Sequence, residues 1–306
     1  MVRLLDFISL GCTNFYETLN AFEETLTALI KNRGLMKKLS FFLIATLSLG
    51  ACSTATSPTG RHQVFSGVSQ QQLNQLGEQA FVEIKAKEKI SGNVRQNAYV
   101  RCVVDALVAE LPSQWRQVKW ETMLFVNEEP NAFALPGGKV GVNTGIFRAA
   151  KNQEQLAAVL GHEIGHVVSR HHEERITWQL GTQAGLGLLG VLAGTAYGDS
   201  AATAVNQIGG LTAQAAFLLP GSRTQEREAD IVGQRLMAQA GFDPIQAVYL
   251  WKNMLAIAGQ RPPQWLSTHP DPTNRIRQLE QQSTVLASVY AQARDAGRVP
   301  HCSPAA

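Results

Sequence analysis

The residues of this chain whose types and spacing could do chemistry together are His162-Glu163-Ile164-Gly165-His166, an HExxH pattern. On a helix, residues four apart lie about 400° round the axis, so both imidazoles share one face. Two ring nitrogens one turn apart suit a tetrahedral zinc ion, and Glu163 lies beside them on the same side. A carboxylate in that position can take a proton from a water that the metal has acidified toward neutrality. The chemistry these residue types point to is metal-assisted hydrolysis with Glu163 as general base.

Such a site takes three protein ligands, and two residues compete for the third place. Glu226 lies in Ser222-Arg-Thr-Gln-Glu-Arg-Glu-Ala-Asp230, where Glu226 and Asp230 are four apart and share a helix face. Glu226 could bind the metal while Asp230 accepts the free N–H of a liganding histidine and fixes its tautomer. Glu228, rotated about 200° from Glu226, is expected to be solvated or paired. The competitor is His172, ten residues after His162. That spacing matches HExxHxxGxxH, but Ser169 stands where the pattern has its turn-forming glycine. A helix running on through Ser169 would carry His172 away.

The surrounding pattern describes the elements that position these groups. Asn152 caps a helix, with Gln155 as its reciprocal partner, and Leu156, Val159, Leu160 and Ile164 give that helix an apolar lining. Ser222 with Gln225 opens a second capped helix, which stops near Gly241. Asp243-Pro244 and Asp271-Pro272 each start a further helix. Helices are also expected over 69–90, from Leu73, Leu76, Ala80, Phe81 and Ile84, and over Val94 to Leu111. A strand is expected across Val118 to Val126. Asn131-Ala-Phe-Ala-Leu135, Pro136-Gly137-Gly138 and Lys139-Val-Gly-Val142 read as a hairpin. The fold class is therefore α+β, mainly helical, with a small and mostly antiparallel sheet. The hairpin offers an edge to which an extended peptide could add through main-chain hydrogen bonds, making Asn131, Ala132, Phe133 and Ala134 candidate substrate contacts. It could equally be scaffold.

These motifs together resemble the gluzincin zinc metallopeptidases of the CAAX prenyl endopeptidase and HtpX family, including bacterial periplasmic lipoprotein proteases of the BepA and LoiP type. The resemblance spans about Ser69 to Glu280. It rests on Asn131–Gly138, Val159–His166, Ser222–Asp230, and Ser267-Thr-His-Pro270 followed by Arg275. It implies His162, His166 and Glu226 as the ligands of one zinc and Glu163 as base. Asp230 matches an acidic position sometimes assigned as a proton donor; the pairing with a ligand histidine favours a positioning role instead. His269 is implied as an active-site residue, either bonding the developing oxyanion or occupying the metal's open position in a resting form. Arg275 has a supporting charge role, and His171 is read as structural. The implied substrates are misfolded or misassembled envelope polypeptides, with outer-membrane assembly machinery as a further partner. A chaperone-like or assembly lipoprotein with a structural or latent zinc site is the rival reading; a purely structural site has no use for Glu163.

Composition sets the outer bounds. The chain has 306 residues, 45% of them apolar, with 27 Lys and Arg against 24 Asp and Glu. A net charge of +3 gives no electrostatic case for nucleic acid. Met36-Lys37-Lys38, the apolar run Leu39 to Leu49 and Leu49-Gly50-Ala51-Cys52 read as a lipoprotein signal peptide over 36–51 with Cys52 as lipidation site. Residues 1–35, which include Asp6, Glu17, Glu23 and Glu24, then read as an upstream extension from a misassigned start. Residues 52–68 read as a tether, and 69–300 as a single metallopeptidase domain. Ser53 after the cysteine is associated with passage to the outer membrane, which places the expected protein on its periplasmic side. Cys102 and Cys302 remain either as a disulfide or as two free thiols. The charge-poor stretch 176–221 reads as buried or lid-forming helices in preference to a membrane span.

Overall fold

The computed structural model describes residues 53–65, 68–179, 222–258, 269 and 272–303. The segments read as a signal peptide and as an upstream extension, together with Cys52 and most of the 176–221 stretch, lie outside the described residues. Two units are distinguished along the chain, 1–55 with 64–67 and 56–63 with 68–306. The account below concerns the second, apart from the ends of the first two strands.

Side-chain caps start most of the helices. Ser69 and Gln72 form a reciprocal capping box that opens α1, Gln70–Lys87, and Asn93 caps α2, Val94–Ala109. Pro112 ends that run and precedes the single turn α3, Ser113–Arg116. Asn152 Oδ1 accepts from the Gln155 N–H at 2.8 Å to open α4, Gln153–Val168. The reciprocal half differs from expectation: Gln155 Oε1 accepts from the Lys151 N–H, one residue earlier. Ser222 and Gln225 make the complete box that opens α5, Arg223–Gln239, and Gly241, at φ 82°, follows its end. Asp243 Oδ1 takes the Ile245 N–H in a turn, and α6 runs Gln246–Ala258, two residues later than its Asp-Pro signal. The last helix, α7, is Pro272–Asp295.

Strands β1, Ser53–Thr56, and β2, His62–Phe65, form a two-stranded sheet, so the segment expected as a tether carries regular structure. A second sheet holds β3, Glu121–Phe125, β4, Ala132–Leu135, and β5, Lys139–Asn143, in the order β3-β5-β4. The predicted hairpin is β4–β5, antiparallel with Phe133 opposite Gly141. β3 pairs with the second arm of that hairpin and not the first, so β3 and β5 run parallel with Glu121 opposite Lys139. The sheet is mixed where a mostly antiparallel one was expected. Local sequence encodes the turn of a hairpin, but not which arm the preceding strand joins.

Helix α4 is enclosed from Gln155 to Val168, and α2, α5, α6 and β4 all pack on it. The main core gathers Val103, Leu107, Leu156, Leu160, Ile164, Met237, Leu250 and Trp251 around it. A smaller cluster of Phe81, Ile84, Phe125 and Leu135 lies under α1, with Phe133 packed against it. A disulfide joins Cys102 on α2 to Cys302, with Cα atoms 5.7 Å apart and a sequence separation of 200. The Cys302 N–H donates to Gln153 Oε1 at 2.7 Å, which pins the C-terminal segment at the start of α4. No helix among the described residues is long and apolar enough to cross a membrane.

Candidate metal centre

Helix α4 presents His162 and His166 one turn apart, with their Nε2 atoms 3.1 Å apart. Helix α5 lies across them at close quarters. Its Glu226 approaches with Oε2 3.3 Å from His162 Nε2 and Oε1 3.5 Å from His166 Nε2. His269 completes the group: its Nδ1 is 3.1 Å from His162 Nε2 and 2.7 Å from Glu226 Oε2. One donor atom from each of these four residues lies within 4.8 Å of all the others. His162, His166 and Glu226 are each no more than 3% exposed, and His269 is 9% exposed.

The donor set fits zinc. Two nitrogens bound to one zinc at 2.0–2.1 Å in tetrahedral geometry lie about 3.3 Å apart, close to the spacings seen. Glu226 Oε1 is buried and has no hydrogen-bond partner among the described residues, an expensive state for a carboxylate oxygen unless a cation faces it. The far nitrogens of both rings have partners. His162 Nδ1 lies 3.0 Å from Asp230 Oδ1, and His166 Nδ1 lies 2.8 Å from His171 Nδ1. A carboxylate can only accept, so His162 carries its proton on Nδ1 when neutral and offers its Nε2 lone pair to the cluster.

The electrostatics favour a cation. Burial raises Glu226, but its neighbours His269 and His162 outweigh that and hold it well below the usual carboxylate range. Burial holds His166 well below its ordinary value, so the ring is neutral. Burial and Arg275 push His162 down, while Asp230 and Glu226 overcome both and raise it to about 9. A metal ion held by this ring would take the place of that proton. Arg275, 3% exposed, clamps Asp230 through two 2.6 Å bonds from Nε and Nη2 and reaches Glu226 Oε2 at 3.2 Å. Its guanidinium lies 4.0 Å from the Trp251 ring centroid. Asp230 is thus held between Arg275 and the back of His162, the geometry of a positioning residue.

Glu163 is buried at 5% exposure, with Oε1 3.4 Å from His269 Nε2. Asn131 immediately precedes β4, and Ala132 to Ala134 run along it; β4 is an edge strand of the sheet and packs on α4. The Phe133 ring covers Gly141 and packs on Phe81 and Phe125. His172 is buried but outside the donor group. The reason differs from expectation. Helix α4 does end at Val168, and Arg170 at φ 56° turns the chain. That turn returns His171, and not His172, to the site. Glu228, at 3% exposure, is paired with His171 and with Arg61. These last three residues have no metal-ligand spacing to reveal them.

The fold and site are those of a metallopeptidase. A family model described as Peptidase family M48 matches residues 94–283, and the chain belongs to that family. It is 34% identical over 229 residues to the mitochondrial metalloendopeptidase OMA1 of Schizosaccharomyces pombe, covering 73% of this chain and 65% of that protein. It is 32% identical over 234 residues to the OMA1 of Arabidopsis thaliana, covering 76% of this chain and 45% of that one. It is 28% identical over 291 residues to the beta-barrel assembly-enhancing protease of Escherichia coli K12, covering 86% of this chain and 55% of the relative. The chain therefore spans between about half and two thirds of the length of these relatives.

Proposed function

We propose that the protein is a zinc-dependent endopeptidase, anchored as a lipoprotein on the periplasmic side of a bacterial outer membrane, that cleaves misfolded or misassembled envelope proteins. The observation that carries the hydrolytic reading is the convergence of His162, His166 and Glu226 beside a buried Glu163. Zinc at those three residues would supply a Lewis acid that polarises a peptide carbonyl and acidifies water. The rest falls to the protein. Glu163 accepts the proton of the attacking water and returns it to the leaving amine. Asp230 holds His162 in its Nδ1–H tautomer, and Arg275 holds Asp230. β4 offers its outer edge to an extended substrate.

The envelope setting is supported by the basic residues before the apolar run and by Leu49-Gly50-Ala51-Cys52. The beta-barrel assembly-enhancing protease, by its name, suggests outer-membrane assembly machinery as a partner. The OMA1 relatives are mitochondrial, so the lipid anchor is the discriminating feature. Mass spectrometry of protein purified from a Gram-negative host should find a triacylated Cys52 at the N-terminus. A mature N-terminus ahead of Met36 would refute the anchor.

One observation favours a second reading, a latent or structural zinc site. His269 supplies a fourth protein donor, and structural zinc sites are closed by four protein ligands whereas catalytic ones keep a position open. Incubating the purified protein with an unfolded polypeptide, with and without a chelator, separates the two. Chelator-sensitive cleavage supports the endopeptidase, and intact polypeptide under both conditions supports the latent site.

A further inference from the structure

Behind His166, on the side away from the donor group, runs a chain of side chains that peptide hydrolysis does not require. His171 is fully buried, with Nδ1 2.8 Å from His166 Nδ1 and Nε2 3.0 Å from Glu228 Oε2. Glu228 in turn accepts from Arg61 Nε at 2.9 Å and Nη2 at 2.7 Å, and from the Thr59 hydroxyl. Arg61 also donates to Glu174, through Nη1 at 2.5 Å and Nη2 at 2.9 Å. Three parts of the chain meet here: the 57–63 segment, the helical stretch 171–179, and α5.

The proton positions along this chain follow from donor and acceptor chemistry. Glu228 faces the Arg61 guanidinium, which donates to it twice, and accepts from the Thr59 hydroxyl, so it meets His171 as a carboxylate. A carboxylate only accepts, so the His171 Nε2 carries a hydrogen. His166 turns its Nε2 to the donor group, 3.1 Å from His162 Nε2, so as a neutral ligand it carries its hydrogen on Nδ1, and the facing His171 Nδ1 accepts it. The hydrogen between the two facing Nδ1 atoms therefore belongs to His166. His166 in turn has a bare Nε2, aimed at His162 and Glu226. One carboxylate sets the tautomer of a ring it does not touch, through the intervening His171, as Asp230 does directly for His162.

Backbone geometry makes the arrangement possible. On a continuous helix, residue 171 would stand about 500° past 166, well off its face. The left-handed Arg170 breaks the helix and swings His171 back. Gln63 Nε2 donates to the Ser169 carbonyl at 2.8 Å, so the 57–63 segment also holds the turn itself.

We propose that Arg61, Glu228 and His171 are positioning residues that fix His166 as a neutral, Nδ1-protonated ligand, so that the segment ahead of α1 is a working part of the metal centre. The inference rests on the reading that His162, His166 and Glu226 hold zinc.

The test is zinc affinity of the purified full chain near neutral pH, by competition with a chelating indicator, alongside the unfolding midpoint of the metal-free protein. His171→Phe and Glu228→Gln should weaken zinc by about 10–100-fold, the usual scale for a group that orients a ligand. Arg61→Met should weaken it less. A long-range proton–nitrogen spectrum of the zinc-loaded protein should show His166 protonated at Nδ1, and Glu228→Gln should disturb that signal, since an amide can present either oxygen or N–H₂ to His171. A merely structural role would lower the unfolding midpoint and leave the affinity and the His166 signal of the folded fraction unchanged; that result overturns the proposal. If His171→Phe does not fold, the nearly isosteric Glu228→Gln and the half-buried Arg61→Met decide it in the same way. Absence of zinc binding in the unsubstituted chain would overturn the metal reading as well, whereas equal affinity in all four proteins overturns only the relay.

Discussion

Gly233 on α5 lies directly against Gly161 on α4. A Cβ on Gly233 would stand 2.6 Å from the Gly161 carbonyl carbon and 2.7 Å from its oxygen. One turn along, Gly165 faces the Ala229 carbonyl, where a Cβ would meet the oxygen at 2.8 Å. Small residues four apart on both helices let the backbones approach, and that approach delivers Glu226 and Asp230 to the two histidines. At an open helix position, Gly to Ala stabilises by about 1 kcal/mol. Here the methyl meets backbone, which cannot yield cheaply. Gly233→Ala is expected to destabilise by about 1–3 kcal/mol and to weaken zinc binding. A denaturation midpoint at or above that of the unsubstituted protein would contradict the close-packing account.

The disulfide carries a larger effect. Closing a loop of about 200 residues removes on the order of 5 kcal/mol of unfolded-chain entropy in the simplest model. Cys302→Ser should therefore lower the urea midpoint markedly, and reductant should lower that of the unsubstituted protein to match. Two freely alkylated thiols in unreduced native protein would exclude the bridge.

Glu121 gives a pH signature. Its bond from Lys85 at 2.8 Å overcomes burial and, with Lys139 at 3.0 Å, lowers its pKa below the ordinary value. A carboxylate depressed in the folded state contributes stability above its unfolded pKa and loses it as pH falls through the folded value. Glu121 is about a third exposed, so each pair contributes about 1 kcal/mol or less. Glu121→Gln should lower stability at neutral pH and shrink the further loss on acidification below about pH 4.5. Parallel stability-versus-pH curves for the two proteins would show that the ion pairs contribute nothing measurable.

Zinc stoichiometry discriminates the ligand set. Glu226→Gln should lose most of the metal, because a neutral amide oxygen is a poor substitute for a carboxylate. Asp230→Asn should weaken binding by about 10–100-fold. His172→Gln should leave it nearly unchanged, since His172 lies outside the donor group. Loss of zinc from His172→Gln with retention in Glu226→Gln would reverse the assignment.

Residues whose role depends on local spacing are legible in the sequence itself. HExxH, the Glu226–Asp230 pair, the Ser69 and Ser222 caps and the β4–β5 hairpin all lie within a few residues of their partners. The features that spacing does not reveal depend on long-range geometry. The parallel partner of β3 is set by packing against a hairpin arm that comes later in the chain. Arg61 and Glu228 are 167 residues apart, and neither stands in a spacing that suggests a site. Helix periodicity carried past Val168 puts His171 off the ligand face. The left-handed Arg170 that breaks the helix is one of the few non-glycine conformations that no propensity predicts. The segment 57–63 reads as linker from its Ser, Pro, Thr and Gly content, and only its contacts with α5 and the Ser169 turn show otherwise.

The most direct measurement is peptidase activity and zinc content of Glu163→Gln, side by side with the unsubstituted protein, on an unfolded polypeptide. The substitution is nearly isosteric and leaves His162, His166 and Glu226 intact, but an amide cannot take the proton of the attacking water. The account predicts full zinc occupancy with cleavage reduced by several orders of magnitude. Cleavage at the unsubstituted rate, with zinc retained, would remove Glu163 from the chemistry and contradict the account.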